Sequence, residues 1–338
     1  MLNVKTLKDS KNNTLVAVLI FIGAFLRFYN LNWGAPFYFH PDERNIADLV
    51  LRSNLASPTS LLKGTFAYGN FPVILMLLLK SLFLSFFQIF KITDPLAQTT
   101  IILRITSASF SVLTLYVIFL CGKFWSKKVA LLSLFLATFS TGFIQQAHFG
   151  TYDGFMAFCS VTVFYFLLRF IKSKRILFYY LAILFIALGA AAKINLLVLS
   201  IFPIAILLSK LKTGKTHFIY VFKNGLFGLI LLLCLTALLS PYYLTLDFRN
   251  SLAYERGLVA GTAPVFYTQS FYNTTPVIFQ LLHILPFLIN PLLTIILLPA
   301  FSYVLFKTIK ARDQSFLLLA SCFYFFHRHS SLPNGPAT

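Results

Sequence analysis

Acidic residues are scarce in this chain. Only Asp9, Asp42, Glu43, Asp48, Asp94, Asp153, Asp247, Glu255 and Asp313 occur in 338 residues, so each has a short list of roles open to it. The densest group is His40-Pro41-Asp42-Glu43. A carboxylate there can accept a proton from a reacting hydroxyl. Pro followed by acids is equally the usual start of a helix, where negative charge complements the helix dipole. Adjacent helical residues do not share a face, so one of the two acids is expected to point into a site. A second carboxylate stands in His148-Phe149-Gly150-Thr151-Tyr152-Asp153-Gly154, at a turn between apolar runs. Asp153 can cap the next helix. Paired with Asp42 it can instead hold an acceptor hydroxyl or seat a divalent ion such as Mg²⁺ or Mn²⁺. Three basic residues, Lys80, Arg104 and Lys193, lie inside or at the ends of apolar runs. Snorkelling accounts for such residues at helix ends, and an anionic phosphate at membrane depth would give them a partner. The last candidate segment is Ser240–Asp247 with Tyr254-Glu255-Arg256-Gly257. Its tyrosines fit an interfacial aromatic belt, or a loop that closes over substrate and uses Tyr243, Asp247, Glu255 and Arg256 together with His148.

The elements that must position these residues are membrane helices. Hydrophobic residues make up 58% of the chain and charged residues 11%, against about 25% charged in an average soluble protein. That excludes a soluble enzyme, a disordered chain and a disulfide-rich secreted scaffold. The net charge of +19 comes mostly from basic clusters between apolar runs, which set membrane orientation, so nucleic acid is not an expected partner. The four cysteines show no metal spacing.

Residues 1–13 read as a cytoplasmic tail and the run that follows as an uncleaved first span. Further apolar runs fall at about 71–90, 99–121, 129–145, 154–171, 176–191, 194–209, 216–239, 277–306 and 315–326. Several are shorter than the roughly 20 residues a helical span needs and are expected to tilt or re-enter. Basic clusters at 123–128, 172–175, 210–215 and 307–312 are expected inside. This places loops 32–70 and 240–276, and the turn at Asp153, outside. Parity then requires an even number of crossings between 32–70 and Asp153, and run 71–90, interrupted by Lys80, is the one expected not to cross. Residues 43–52, with Ile46, Leu49 and Val50 on one face, read as an interfacial amphipathic helix. The domain reading is one transmembrane unit over 14–326, followed by an atypical tail at 327–338 that reads as truncated or altered.

Six segments in order carry a family resemblance: HPDE at 40–43, FAYGNFP at 66–72, LRITSA at 103–108, HFGTYD at 148–153, ALGAAAKIN at 187–195 and SPYYLTLD at 240–247. Together they resemble the bacterial members of the protein O-mannosyltransferase-like family, phospholipid-carrier-dependent glycosyltransferases of the GT-C class. The resemblance covers about residues 15–300. It implies an all-α polytopic bundle in the cell membrane that moves a sugar, with inversion, from a polyprenyl-phosphate donor. The acceptor would be a hydroxyl on a protein, lipid or glycan outside the membrane. It implies Asp42 as the catalytic carboxylate, with Glu43 beside it and Asp153 in the second acidic position. Arg104 and Lys193 match recurrent basic positions, and contact with the donor phosphate is inferred for them. Two departures stand out: Asn70-Phe71-Pro72 replaces the more usual Lys/Tyr-Pro-Pro, and the family's later C-terminal spans have no counterpart in this sequence. The competing reading is a transporter or flippase for an anionic lipid-linked substrate. It predicts acids near mid-span and a repeated half; the acids here lie at span ends and no repeat is visible.

Overall fold

The computed structural model describes residues 4–62, 68–89, 91–209, 215–260, 265, 274–275 and 278–311. The last apolar run at 315–326, the tail at 327–338 and most of the outer loop beyond 260 lie outside the described residues.

Among the described residues the fold is helical, with one isolated bridge pair between Tyr68 and Lys193. The helices are α1 (Val4–Phe28), α2 (Pro41–Arg52), α3 (Phe71–Leu82), α4 (Leu84–Ile89), α5 (Pro95–Gly122), α6 (Lys127–Thr138), α7 (Thr141–Ala147), α8 (Asp153–Ser173), α9 (Ile176–Ala190), α10 (Ile201–Leu208), α11 (Lys215–Leu239), α12 (Leu246–Ala260), α13 (Leu285–Ile289) and α14 (Pro291–Ala311), with short 3₁₀ or π turns between some of them.

Local chemistry sets the helix starts. Asp94 caps α5, accepting from the backbone N–H groups of Leu96 and Ala97 at 3.2 and 3.0 Å, and Pro95 supplies the pre-set first turn. Ser126 does the same for α6 through Val129. Lys174, in the left-handed conformation, closes α8. Inside α5 and α8, Thr106, Ser109, Thr114, Ser160 and Thr162 donate to the carbonyl four residues back, so their hydroxyls do not face hydrocarbon unpaired.

Helices α5, α8 and α11 contain stretches long and apolar enough to cross a membrane. α8 lies in the middle of the main core, packed against α5 and α9, and α9 packs against α11. α6 and α7 form one bent unit, with a 56° break. The break strands the last carbonyls of α6, and the buried guanidinium of Arg27 donates to two of them, Ala137 at 3.0 Å and Thr138 at 3.2 Å. Run 71–90 is not one helix. It divides into α3, twelve residues and about 18 Å long by the helical rise, and the six-residue α4. Both fall short of the roughly 30 Å hydrocarbon core. The 32–62 region and the turn before α8 lie at one end of the bundle, where the contacts described next hold them together.

Candidate functional site

Two clusters meet at this end of the bundle, and they divide the sequence candidates between them. The first is built on Glu43 and Arg104, both completely buried. Arg104 Nε and Nη2 donate to the two carboxylate oxygens of Glu43 at 2.6 and 2.7 Å, a two-pronged ion pair. Arg104 Nη1 donates to the carbonyls of Leu31 and Trp33 at 2.7 and 2.8 Å. The indole of Trp33 lies 4.5 Å from the guanidinium carbon and the ring of Tyr38 5.3 Å from it. Glu43 Oε1 also accepts from the backbone N–H of Gly150 at 2.7 Å. A side chain at 150 would put its Cβ 2.7 Å from that same oxygen, so glycine is needed for the approach. Trp33 Nε1 donates to the carbonyl of His148 at 3.0 Å, and the ring nitrogens of His148 lie 2.8 and 2.9 Å from the carbonyls of Ile144 and Tyr29. His40, which caps α2, packs against Phe149 with ring centroids 4.4 Å apart.

This placement changes what Arg104 and His148 can do. The expectation that Arg104 meets a donor phosphate gives way to an enclosed guanidinium that binds α5 to α2 and to the loop before it. His148 was expected in a loop over the substrate; its ring is engaged by two carbonyls and ties the end of α1 to α7. Glu43 stands beside Asp42 in sequence yet turns into the core.

The second cluster centres on Tyr68, which the sequence reading did not single out. Tyr68 is half-buried in the loop before α3. Burial pushes its phenol pKa up, and the negative charges of Asp42, Asp153 and Glu255 add to the rise. Carboxylates from three separate segments thus act electrostatically on one phenol. The ammonium of Lys193 stands 5.4 Å from the centre of the Tyr68 ring, and Tyr152 meets that ring edge-on at 5.5 Å. Asp153, in the first turn of α8, accepts from Thr151 at 3.0 Å.

The backbone around Tyr68 is tightly fixed. Beyond the bridge to Lys193, Gly69 N–H donates to the Ala192 carbonyl at 2.8 Å and Phe71 N–H to that of Ala191 at 3.3 Å. A Cβ on Gly69 would collide with the Ala191 carbonyl oxygen at 2.0 Å. Asn70 N–H donates to the Ser240 hydroxyl at 3.0 Å, and Asn70 Oδ1 accepts from Tyr242 N–H at 3.1 Å. The Tyr243 hydroxyl donates to the Ala190 carbonyl at 2.8 Å. Asn70, Ser240 and Tyr242 thus knit the first outer loop to the segment after α11; a buried Ser-Asn pair has no spacing signature that would have revealed it. Asp247 and Arg256 are exposed on α12 and take no part in the Tyr68 cluster. Lys80 is half-buried and donates to Thr99 at 3.5 Å, away from both clusters. A small apolar groove runs beside the site between α3, α5 and the start of α8, lined by Phe71, Leu75, Met76, Phe110, Tyr152 and Phe155 among others. Among the described residues no three His, Cys, Asp or Glu side chains come together as a metal cradle.

Residues 86–221 match the family model of dolichyl-phosphate-mannose-protein mannosyltransferase. That stretch holds Arg104, Asp153 and Lys193, while Asp42 and Tyr68 precede it. Solved structures of the oligosaccharyltransferase of Archaeoglobus fulgidus match the whole assembly. The apo form gives a TM-score of 0.56 at 14% identity over 91% of this chain and 46% of that one. The form with Zn and sulfate gives 0.55 at 15% identity over 94% and 46%. The complex with an inhibitory peptide and a dolichol-phosphate gives 0.54 at 13% identity over 94% and 48%. The fold is GT-C. The all-helical bundle expected from the motifs is therefore present, and the family model agrees with the resemblance over residues 86–221, less than half of the chain. This GT-C chain spans about half the length of the solved structures it matches. No curated protein matches the sequence.

Proposed function

We propose that this chain is a membrane glycosyltransferase that moves a sugar from a polyprenyl-phosphate-linked donor to an acceptor hydroxyl on the extracytoplasmic face of the cell membrane. The observation that carries the reading is Lys193 paired in backbone with Tyr68 and stacked on its ring, with Asp42 and Asp153 acting electrostatically on the same phenol. The family model over 86–221 and the dolichol-phosphate held by the archaeal enzyme support the donor class. The peptides held by that enzyme support a protein acceptor, with a lipid or glycan hydroxyl as the other acceptor classes.

The reaction is a single displacement. The acceptor oxygen attacks the anomeric carbon as its proton passes to Asp42, and the bond from that carbon to the phosphate oxygen breaks. The lipid phosphate leaves as an anion, stabilised by the ammonium of Lys193, so no strong general acid is required. Attack opposite the departing phosphate inverts the anomeric centre. Asp153 and Glu255 act electrostatically on the same phenol as Asp42, which suits them to hold acceptor or sugar hydroxyls. Glu43 and Arg104 act as a brace that fixes α2, and with it Asp42, against α5. A Mg²⁺ or Mn²⁺ ion would find the Asp42–Asp153 carboxylates here without a third protein ligand among the described residues, and no step is assigned to one.

The direct test is to purify the chain in lipid nanodiscs and weigh what it retains by native mass spectrometry. Polyprenyl phosphate should be held in preference to ordinary phospholipid, and Lys193→Ala should weaken that retention by roughly tenfold, the scale of one lost charge-assisted contact. Equal retention of polyprenyl phosphate and bulk lipid by the unaltered chain would overturn the donor class.

A further inference from the structure

The end of the bundle away from the two clusters is strongly basic. The turn between α5 and α6 presents Lys123, Lys127 and Lys128, and the turn between α8 and α9 presents Lys172, Lys174 and Arg175, all exposed. No acid occurs in the sequence between Asp94 and Asp153, or between Asp153 and Asp247. Asp94 and Asp153 themselves stand at the opposite ends of α5 and α8. Membrane orientation requires only that cations lie on one side; it does not require them to meet. Here they do meet: Lys172 Nζ donates to the Phe124 carbonyl at 2.6 Å and joins the two turns. We infer that the two turns form one binding surface for the phosphate headgroup of an anionic phospholipid, in the leaflet at this end of the bundle. The inference does not depend on the glycosyl-transfer reading.

Aromatic rings hold several of the cations in place. The ammonium of Lys172 lies 5.1 Å from the centre of the Phe124 ring and that of Lys123 5.7 Å from the Phe119 ring. The guanidinium carbon of Arg169 lies 4.8 Å from the centre of the Phe178 ring, across the α8–α9 turn. A cation resting on a ring has less rotamer freedom to lose when an anion arrives. An ammonium has three N–H groups; the Phe124 carbonyl takes one from Lys172, which leaves donors for a phosphate oxygen. Lys127 and Lys128 lie in the first turn of α6, and Arg175 stands at the N-cap of α9. The helix dipole opposes a positive side chain at such positions, so a bound anion relieves a repulsion as well as meeting the cations. Depth favours a lipid over a free phosphate. α5 and α8 each contain a stretch able to cross a membrane, and these turns are where they emerge. Half-buried Phe124 and Trp125 lie among the cations, as aromatic residues do at the interface. Leu132 of α6 and Leu177 of α9 are exposed just inside the turns and offer acyl chains a surface.

The test offers the whole chain, in detergent, phosphatidylglycerol and phosphatidylcholine with the same acyl chains, and weighs what is retained by native mass spectrometry. Phosphatidylglycerol should be held several-fold in preference, and about 0.5 M salt should reduce that preference. Lys172→Gln with Arg175→Gln should lower its retention by roughly tenfold or more, the scale of two lost cations at a membrane surface. Lys172→Arg with Arg175→Lys should keep most of it. Two controls separate this surface from other causes. Arg44→Gln with Arg249→Gln removes two exposed cations elsewhere and should change nothing. Lys193→Ala should also leave phosphatidylglycerol retention intact, since it alters the proposed donor site. Equal retention of the two lipids by the unaltered chain would overturn the inference. So would a loss matched by the Arg44/Arg249 pair, which would show an effect of net charge alone, or a loss caused by Lys193→Ala and not by Lys172→Gln with Arg175→Gln. Adducts of inorganic phosphate at this surface without any preference between the lipids would reject the lipid as its ligand.

Discussion

Asp42 and Glu43 are consecutive residues on one helix, and the structure gives them opposite surroundings. Glu43 is sealed in the core, gripped by Arg104 through both oxygens and by the Gly150 N–H. Asp42 is half-buried and acts with Asp153 and Glu255 on the Tyr68 phenol, whose ring carries the ammonium of Lys193. The 100° turn between neighbours on a helix is enough to separate a brace from a working group. Taking Glu43 and Arg104 out of water is costly and is offset only because each charge meets several well-placed partners. A pair so enclosed has no capacity left for a substrate. The Tyr68 cluster is the reverse case: Asp42, Asp153 and Glu255 are only partly buried, and Lys193 lies against the Tyr68 ring. The lesson is that rarity of charge marks both kinds of position, and only burial and partners tell them apart.

That contrast can be broken most forcefully at the brace. Arg104→Ala leaves a buried Glu43 carboxylate without its counter-ion, and the expected destabilisation is about 3–5 kcal/mol, seen as a large drop in the thermal unfolding midpoint in detergent or nanodiscs. Arg104→Lys should recover only part of it, because an ammonium cannot reproduce the two-pronged contact together with the bonds to Leu31 and Trp33. An unchanged midpoint for Arg104→Ala would show that the pair does not hold α2. A smaller effect is expected at the glycine that lets the turn before α8 reach Glu43. Gly150→Ala forces a Cβ against Glu43 Oε1 and Leu103, and should cost about 1–3 kcal/mol with a loss of activity that follows the loss of stability. A fully stable Gly150→Ala protein would mean that the loop has room to yield.

Much of this was legible in the residues. The acids and cations are so few that Asp42, Asp153 and Lys193 announce themselves, and composition alone dictates membrane helices. Lys80 in an apolar run and the need for even crossings point to the shortness of α3 and α4. Other features depend on contacts between distant segments. Nothing in the spacing of Glu43 and Arg104, sixty-one positions apart, says that they pair, and Arg104 in a long apolar helix reads equally well as a phosphate ligand. Tyr68 sits in a loop where tyrosine is the ordinary belt residue, so its contacts emerge only when the backbone of Ala191–Lys193 is laid beside it. His148 reads as part of a loop over the substrate, until Ile144 and Tyr29 are seen to face both its nitrogens.

The most direct measurement compares the two neighbours. Asp42→Asn and Glu43→Gln would be purified side by side, and each assayed for thermal unfolding and for sugar transfer from a polyprenyl-phosphate donor. The account predicts that Asp42→Asn unfolds at the temperature of the unaltered protein and loses transfer by about 10²–10⁴-fold, the range expected for a general base. Glu43→Gln should unfold at a clearly lower temperature, because it strands Arg104. Normal transfer by Asp42→Asn, or a stable Glu43→Gln protein that has lost transfer alone, would contradict the division between working group and brace.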